Sequence, residues 1–315
     1  MDDKKLINGI AFSITAEHIM KLISTYQQLL NFQDATFSLI DHEDAMVATV
    51  YKITKPNGEQ FILKISERPN DYFREVLFLK QFSQTLPVPK IIQLIDPREG
   101  IHGAILMEYL PGTLLKAEDL TESIAHEIGR WLATIHLNRL SGYGDPIQNN
   151  LTSDPRSYFT LKFEEGLEEC RPNLPMSLIQ KCLDYYKANL ALLNTVDGPC
   201  VVHRDFRPGN ILVHESKLQG IIDWAGARAS FAEEDLCTLK HGEWSNSSHS
   251  IKSLLAGYES VRPVPGYMRL APFLRLNKAI ATIGFIVKCG SWTDTASLLY
   301  QYNRQFLEEF FEASL

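Results

Sequence analysis

The sequence predicts an α+β fold in two units: an antiparallel sheet with one or two helices over residues 1–110, and a mostly helical unit over residues 111–315. Three observations lead there. Residues 35–65 hold three short apolar runs punctuated by turn-forming residues. After Gly112 the apolar residues recur three and four positions apart, the helical period. A chain of 315 residues, at roughly 150 per domain, has room for two packed units.

Ile19, Leu22, Ile23, Tyr26, Leu29 and Leu30 fall on one face of a helix, so an amphipathic helix opens the sheet-rich unit. Ala35 to Ile40, Met46 to Thr54 and Gln60 to Ile65 read as strands. The last two are joined by Lys55-Pro56-Asn57-Gly58-Glu59, where Asn-Gly accepts positive φ. A helix over about Asp71 to Phe82 follows, then strands at Lys90 to Ile95 and Ala104 to Leu110, before Pro111-Gly112 breaks the pattern. In the second unit Ile124, Ile128, Leu132 and Ile135 mark a long helix, and Leu178 to Leu193 and Lys252 to Leu315 are largely helical. Ile211 to Val213 and Leu218 to Ile222 are too short for helices and read as strands between polar turns. No internal repeat at a fixed period is present.

Composition narrows the partners. Hydrophobic residues at 45% and charged residues at 22% exclude disorder, collagen and coiled coil. The charge sum, 31 − 38 = −7, disfavours nucleic acid, because phosphate neutralisation needs surplus Lys and Arg. Cys170, Cys182, Cys200, Cys237 and Cys289 form no C-x-x-C pair and are odd in number, so free thiols in a reducing cytoplasm are expected. Met1-Asp2-Asp3-Lys4-Lys5 leads into no long apolar stretch, and the run from Ala279 to Val287 is too short to cross a bilayer, so no membrane partner is expected.

The chemistry concentrates in Val201-Val202-His203-Arg204-Asp205-Phe206-Arg207-Pro208-Gly209-Asn210-Ile211-Leu212-Val213 and the later Gly220-Ile221-Ile222-Asp223-Trp224. Polar groups on a loop between buried runs can be held rigidly while staying reachable. Phosphoryl transfer needs this set: an Asp to orient a hydroxyl and take its proton, and an amide oxygen with a second carboxylate to hold magnesium against a triphosphate.

His203-Arg204-Asp205-Phe206-Arg207-Pro208-Gly209-Asn210 resembles the H-x-D-x-x-x-x-N catalytic loop of the protein-kinase-like superfamily. Its Pro-Gly-Asn ending and Ile222-Asp223-Trp224 are similar to the aminoglycoside phosphotransferase and choline kinase branch. The resemblance implies a bilobal protein-kinase-like fold, with a nucleotide-binding lobe over residues 1–110 and a catalytic and substrate-binding lobe over 111–315. It implies Asp205 as catalytic base, Asn210 and Asp223 as magnesium ligands, and His203 as support for the loop. Arg207, where serine/threonine kinases often carry Lys, would stabilise charge on the transferring phosphoryl group. Phe61-Ile62-Leu63-Lys64-Ile65 resembles the strand whose Lys pairs with the α- and β-phosphates, and Glu75 stands where that Lys finds its carboxylate. Ile105 to Gly112 resembles the hinge, where the backbone of Glu108 and Leu110 would bind adenine and Met107 would line the pocket. Leu132-Ala133-Thr134-Ile135-His136 and Asp235-Leu236 match segments whose roles are packing and capping. Taken alone, Lys64 also reads as a solvated lysine on an edge strand, Glu75 as one of many helical carboxylates, and the hinge as a strand ending in a Pro-Gly turn.

The implied cofactors are ATP and Mg²⁺, and the implied partner is a small-molecule hydroxyl acceptor: aminoglycoside-like, choline-like, or a sugar or amino alcohol. Two alternatives stand beside this, a nucleotide-binding pseudokinase or interaction module and a protein serine/threonine kinase. The presence of Lys64, Asp205, Asn210 and Asp223 together opposes the first, and the lack of Ala-Pro-Glu after Asp223 opposes the second. Glu164, Glu165, Glu168 and Glu169, with Glu233 and Glu234, offer acidic surface to a cationic acceptor or are simply a solvated face. Ser141-Gly142-Tyr143-Gly144-Asp145 carries no assignment. One departure from the family pattern is Asp41-His42-Glu43-Asp44-Ala45, glycine-free where a Gly or Ser turn usually covers the phosphates; its carboxylates would oppose a triphosphate that they faced.

Overall fold

Residues 4–7, 10–13, 16–40, 48–240, 244, 248–293 and 297–312 are described by this computed structural model. The chain divides into two compact units, one of Ile23–Ser153 with Asp197–Pro265, the other of Met1–Leu22, Asp154–Val196 and Gly266–Leu315. A hairpin of β1 (Lys4–Ile7) and β2 (Ile10–Ser13) precedes the predicted opening helix, α1 (Ala16–Leu30).

In the first unit, β3 (Thr36–Leu39), β4 (Ala48–Thr54), β5 (Gln60–Ser66), β6 (Ile91–Ile95) and β7 (Gly103–Glu108) form one antiparallel sheet in the order β3-β4-β5-β7-β6. The β4–β5 turn behaves as its sequence demands. Gly58 takes a φ of +87°, its N–H donates to the Lys55 carbonyl at 2.9 Å, and Asn57 Oδ1 accepts the Glu59 N–H at 3.1 Å. Asp41 to Ala45, the glycine-free loop, lies outside the described residues. Lys64 pairs with Val50 on one side and Ile105 on the other, so it stands on the central strand and is buried, which removes the solvated edge-strand reading.

Helix α2 (Pro69–Phe82) starts on a proline that fits its first turn, and buries Tyr72, Glu75, Val76, Phe78, Leu79 and Phe82 along one face. After β8 (Thr113–Leu114) comes α3 (Glu122–Leu137), capped where the Ile124 N–H donates to Thr121 Oγ1 at 3.3 Å. The second unit follows with α4 (Pro155–Cys170) and α5 (Met176–Asn189), and the first resumes with β9 (Cys200–Val202), β10 (Ile211–His214), β11 (Lys217–Ile221), β12 (Arg228–Ser230), α6 (Glu233–Thr238) and α7 (Ser248–Glu259). Helices α3 and α7 cross backbone to backbone on Gly129 and Gly257: a Cβ on the first would meet Leu254 O at 1.8 Å, and one on the second His126 O at 1.8 Å. Gly129→Ala should therefore lower stability by about 1–3 kcal/mol, the usual cost of overpacking. A urea midpoint equal to the wild type would show that the crossing yields freely.

The second unit continues with α8 (Ala271–Lys288) and α9 (Ser297–Glu312). Its core includes Tyr186, stacked on Phe163 at 3.8 Å between centroids and on Phe273 at 5.1 Å. Helix α4 carries the acidic run. Glu164, Glu165 and Glu168 are exposed, and Lys162, Arg171 and Lys288 pair with Glu165, Glu168 and Glu169. Glu233 and Glu234 do not extend that surface. Glu233 is buried and accepts the Asp197 N–H at 3.1 Å, and Glu234 pairs with Arg204 at 3.2 Å. Among the described residues no helix is long and apolar enough to cross a membrane; the apolar side chains of Ala279, Ile280, Ile283 and Ile286 in α8 are buried.

Candidate active site

Four short strands place the polar loop. β9 and β12 pair antiparallel, as do β10 and β11, so the chain runs from β9 through residues 203–210 into β10, turns, and returns along β11 to Asp223. Glu215 and Ser216 make that turn with φ of 48° and 59°, the left-handed pair that matches hairpin twist. Two non-glycine residues of the site, Arg204 (φ 65°) and Asp223 (φ 64°), also sit in the left-handed region. Each such residue costs on the order of 1–3 kcal/mol and persists only where its surroundings enforce it.

Asp235 enforces the first. Fully buried, it accepts the His203 N–H on Oδ2 and the Arg204 N–H on Oδ1, both at 2.7 Å, and His136 Nε2 lies 3.1 Å from Oδ2. Burial alone would raise the Asp235 pKa, but the hydrogen bonds from His136 and the His203 amide reverse it and hold the carboxyl below its ordinary value. His136 continues the chain to Tyr258, 2.9 Å from Nδ1. The packing and capping expected of His136 and Asp235 are thus a two-amide clamp on the loop. Because the folded pKa is depressed, this clamp contributes stability above the unfolded carboxyl value of about 3.9 and loses it as pH falls through the folded value. Asp235→Asn should cost about 2–3 kcal/mol at neutral pH and flatten the acid limb of the stability profile, as read by chemical denaturation. An acid limb unchanged from the wild type would mean that other carboxylates set it.

Within the loop, Asn210 Nδ2 donates to Asp205 Oδ2 at 2.7 Å and to the Asp205 carbonyl at 2.8 Å, and Arg207 Nε lies 3.4 Å from the same Oδ2. Asn210 is buried while 41% of the Asp205 side chain stays exposed, so the carboxylate is oriented from below and open to a substrate from above. The Phe206 carbonyl accepts Trp244 Nε1 at 2.9 Å, tying down the middle of the loop. His203 donates from Nε2 to the Ile222 carbonyl at 3.2 Å, which links loop to turn, and among the described residues its buried Nδ1 has no hydrogen-bond partner.

Lys64 Nζ reaches Glu75 Oε2 at 2.6 Å and Asp223 Oδ1 at 2.8 Å. Burial works against the ammonium, but the charges of Asp223 and Glu75 outweigh it and hold the Lys64 pKa above its ordinary value. The Lys64 charge in turn holds the Asp223 carboxyl below its ordinary value, whereas burial dominates at Glu75 and raises it. Trp224, fully buried, packs its ring on Phe82 at 4.8 Å, on Phe78 at 6.3 Å and on His203 at 4.7 Å. Helix α2, the Asp223 turn and the loop of residues 203–210 therefore share one aromatic cluster.

The donor set suits a hard cation that arrives with its nucleotide. The Asn210 amide nitrogen is spent on Asp205, leaving Oδ1, and Asp223 keeps 45% of its side chain exposed, with Oδ1 engaged by Lys64. Oxygen donors with few protein ligands are what Mg²⁺ takes alongside phosphates. Among the described residues no cluster of three or more His, Cys, Asp or Glu could hold a metal on its own.

In the segment expected to form the hinge, Met107 is buried between Ile62 and Ile91 of the neighbouring strands. The Glu108 N–H donates to the Lys90 carbonyl at 3.0 Å, so any bond from this residue's backbone to a base falls to its carbonyl oxygen. Leu110 is half-buried just beyond β7. The structure thus brings Lys64, Glu75, Asp205, Arg207, Asn210 and Asp223 together around two loops, with Met107 and Glu108 on the strand beside Lys64 and Leu110 just past its end. Sequence reasoning missed Trp224 as a packing hub and Trp244 as a loop anchor. Their only signal was position, one directly after the predicted metal ligand and one alone in a polar stretch.

A family model for the phosphotransferase enzyme family matches residues 42–273. A homoserine kinase of Mesorhizobium japonicum is 27% identical over 187 residues, which cover 56% of this chain and 55% of that one. A homoserine kinase of Xanthobacter autotrophicus is 28% identical over 199 residues, covering 60% and 58%. The chain thus spans just over half the length of these curated relatives. The crystal structure of aminoglycoside phosphotransferase APH(4)-Ia superposes with a TM-score of 0.66 at 14% identity, covering 92% of this chain and 99% of that one. That of the ADP-bound aminoglycoside phosphotransferase APH(2'')-Ib gives 0.64 at 15% identity, covering 91% and 96%. At such identities the likeness shows a shared fold, the aminoglycoside-kinase form of the protein-kinase-like fold.

Proposed function

Since this chain belongs to the phosphotransferase enzyme family, we propose that it is an ATP-dependent small-molecule kinase that moves the γ-phosphoryl group to the hydroxyl of an amino alcohol of the homoserine type. The observation that carries the reading is the convergence of Asp205, Asn210 and Asp223 on two loops tied to a buried Lys64–Glu75 pair. In this reading residues 1–110 act as the nucleotide-binding lobe and 111–315 as the catalytic and substrate-binding lobe. Lys64, kept charged by its two carboxylates, binds the α- and β-phosphates, and Glu75 holds Lys64 in place. The backbone of Glu108 and Leu110 takes the base, with Met107 beneath it. Asn210 and Asp223 hold Mg²⁺, which when bound supplies neutralising charge to the phosphates. Asp205 orients the acceptor hydroxyl and takes its proton, and Arg207, beside it, offsets charge on the transferring group.

The names of the relatives support an amino-alcohol acceptor over a polycation, and so does the paired state of the acidic run on α4. A module that binds nucleotide without turnover would have no use for an exposed Asp205 held by Asn210. ADP release should be followed with L-homoserine, choline, aminoglycosides and sugars as acceptors. Magnesium-dependent turnover with L-homoserine or a close amino alcohol is expected. Turnover confined to aminoglycosides would overturn the acceptor, and ATP binding without transfer to any alcohol would overturn the enzyme.

A further inference from the structure

We propose that Arg74 is a positioning residue that clamps the turn bearing Asp223, holding the metal ligand at the register that Lys64 and the nucleotide require. The residue precedes Glu75 on α2, and its guanidinium reaches two other segments of the chain and back to its own helix. Nε donates to the Ala225 carbonyl at 2.8 Å, Nη1 to Asp145 Oδ2 at 2.6 Å, and Nη2 to Asp71 Oδ1. Asp71 and Asp145 are both buried.

These contacts bracket the turn. Asp223 is held through Lys64 by Glu75, Trp224 by Phe78 and Phe82, and Ala225 by Arg74, so helix α2 or its partner grips three consecutive residues. Asp145 fixes the far end. Its neighbour Gly144 exchanges hydrogen bonds with Ala229 of β12 at 2.9 and 3.1 Å, and β12 pairs with the strand that feeds the catalytic loop. The left-handed backbone at Asp223 needs such restraint to persist. Arg74 also gives a role to Ser141-Gly142-Tyr143-Gly144-Asp145, which carries the buried carboxylate that the guanidinium needs. A fork of donors serves three acceptors at once, and a lysine ammonium in the same place keeps the charge but not the fork.

The consequence for the metal rests on the phosphotransferase reading; the hold on the turn does not, and the test separates them. Because Arg74→Ala takes the ion pair from buried Asp145 and leaves buried Asp71 with Arg68 alone, Arg74→Lys is the test variant and Asp145→Asn the second. Hydrogen exchange in the nucleotide-free protein should show the amides of Ala227 and Ala229, bonded to the Trp224 and Gly144 carbonyls, exchanging roughly tenfold faster in both variants. Calorimetry of ATP binding should show the magnesium half-saturation raised by roughly three- to tenfold in Arg74→Lys, for the loss of about one hydrogen bond, with the KM for the acceptor unchanged. Unchanged exchange at residues 227 and 229 in folded variants overturns the clamp, whatever the protein binds. Accelerated exchange with an unchanged magnesium response, in a protein whose wild type has one, overturns the link to the metal ligand. A wild type with no magnesium-dependent ATP binding overturns the phosphotransferase reading instead, while exchange still decides the clamp.

Discussion

Asp205→Asn lowers kcat by about 10²- to 10⁴-fold, the range expected for removing a general base, and leaves ATP affinity within a few-fold of wild type. The loss falls on kcat because Lys64, the residue assigned to the α- and β-phosphates, pairs with Glu75 and Asp223, while the Asp205 carboxylate is oriented by Asn210 at 2.7 Å, lies 3.4 Å from Arg207 and keeps 41% of its side chain exposed. The substitution keeps size and an acceptor oxygen for Asn210 Nδ2, so loop geometry is conserved and the missing function is proton acceptance. Single-turnover measurements separate this from slower product release. Full turnover by the variant with any accepted alcohol would remove Asp205 from the base role, and a matched fall in ATP affinity would move its role to nucleotide binding.

Asp223→Ala abolishes the gain in ATP affinity that magnesium confers, an effect beyond the ~10–100-fold that follows loss of a group one step removed from a metal. Asp223 offers a carboxylate that the Lys64 charge keeps ionised below its ordinary pKa. It therefore should not titrate between about pH 5 and 8, and magnesium-dependent binding should stay level across that window as far as this ligand controls it. Calorimetry with and without magnesium reads both outcomes. A variant that keeps the wild-type magnesium response would reject the assignment of Asp223, and with it that of Asn210.

The central strand, the helix after it and the loop around Asp205 were legible in the chain because each carries a local pattern. A short apolar run after a turn marks Gln60 to Ile65, a helical stretch is read over about Asp71 to Phe82, and polar identities at fixed offsets mark residues 203–210. Helix Pro155–Cys170 was not read as an element of its own, since only Phe163, Gly166, Leu167 and Cys170 are buried, while Leu161 is exposed and Tyr158 and Phe159 are half-buried, so its apolar residues make no single clean stripe. The strands Cys200–Val202 and Arg228–Ser230 are three residues each, too short for a period to show. Glu233 and Glu234 read as surface because a carboxylate pair on a helix usually is, and only the Asp197 amide and Arg204 show why Glu233 is buried and Glu234 half-buried.

By itself the sequence determined the α+β character, the extent of most elements, and which residue types could carry phosphoryl transfer. These are properties of neighbours along the chain, set by periodicity and local backbone preference. Tertiary structure decided which of those residues act together. Lys64 meets Asp223 across 159 positions, Arg74 meets Ala225 across 151, and Asp235 meets His136 across 99. Such pairs form when β5 takes the middle of its sheet and α2 packs its aromatic face against Trp224. The reason is energetic: a buried charge or a left-handed residue is tolerable only where several distant groups compensate it at once, and that compensation exists only in the folded chain.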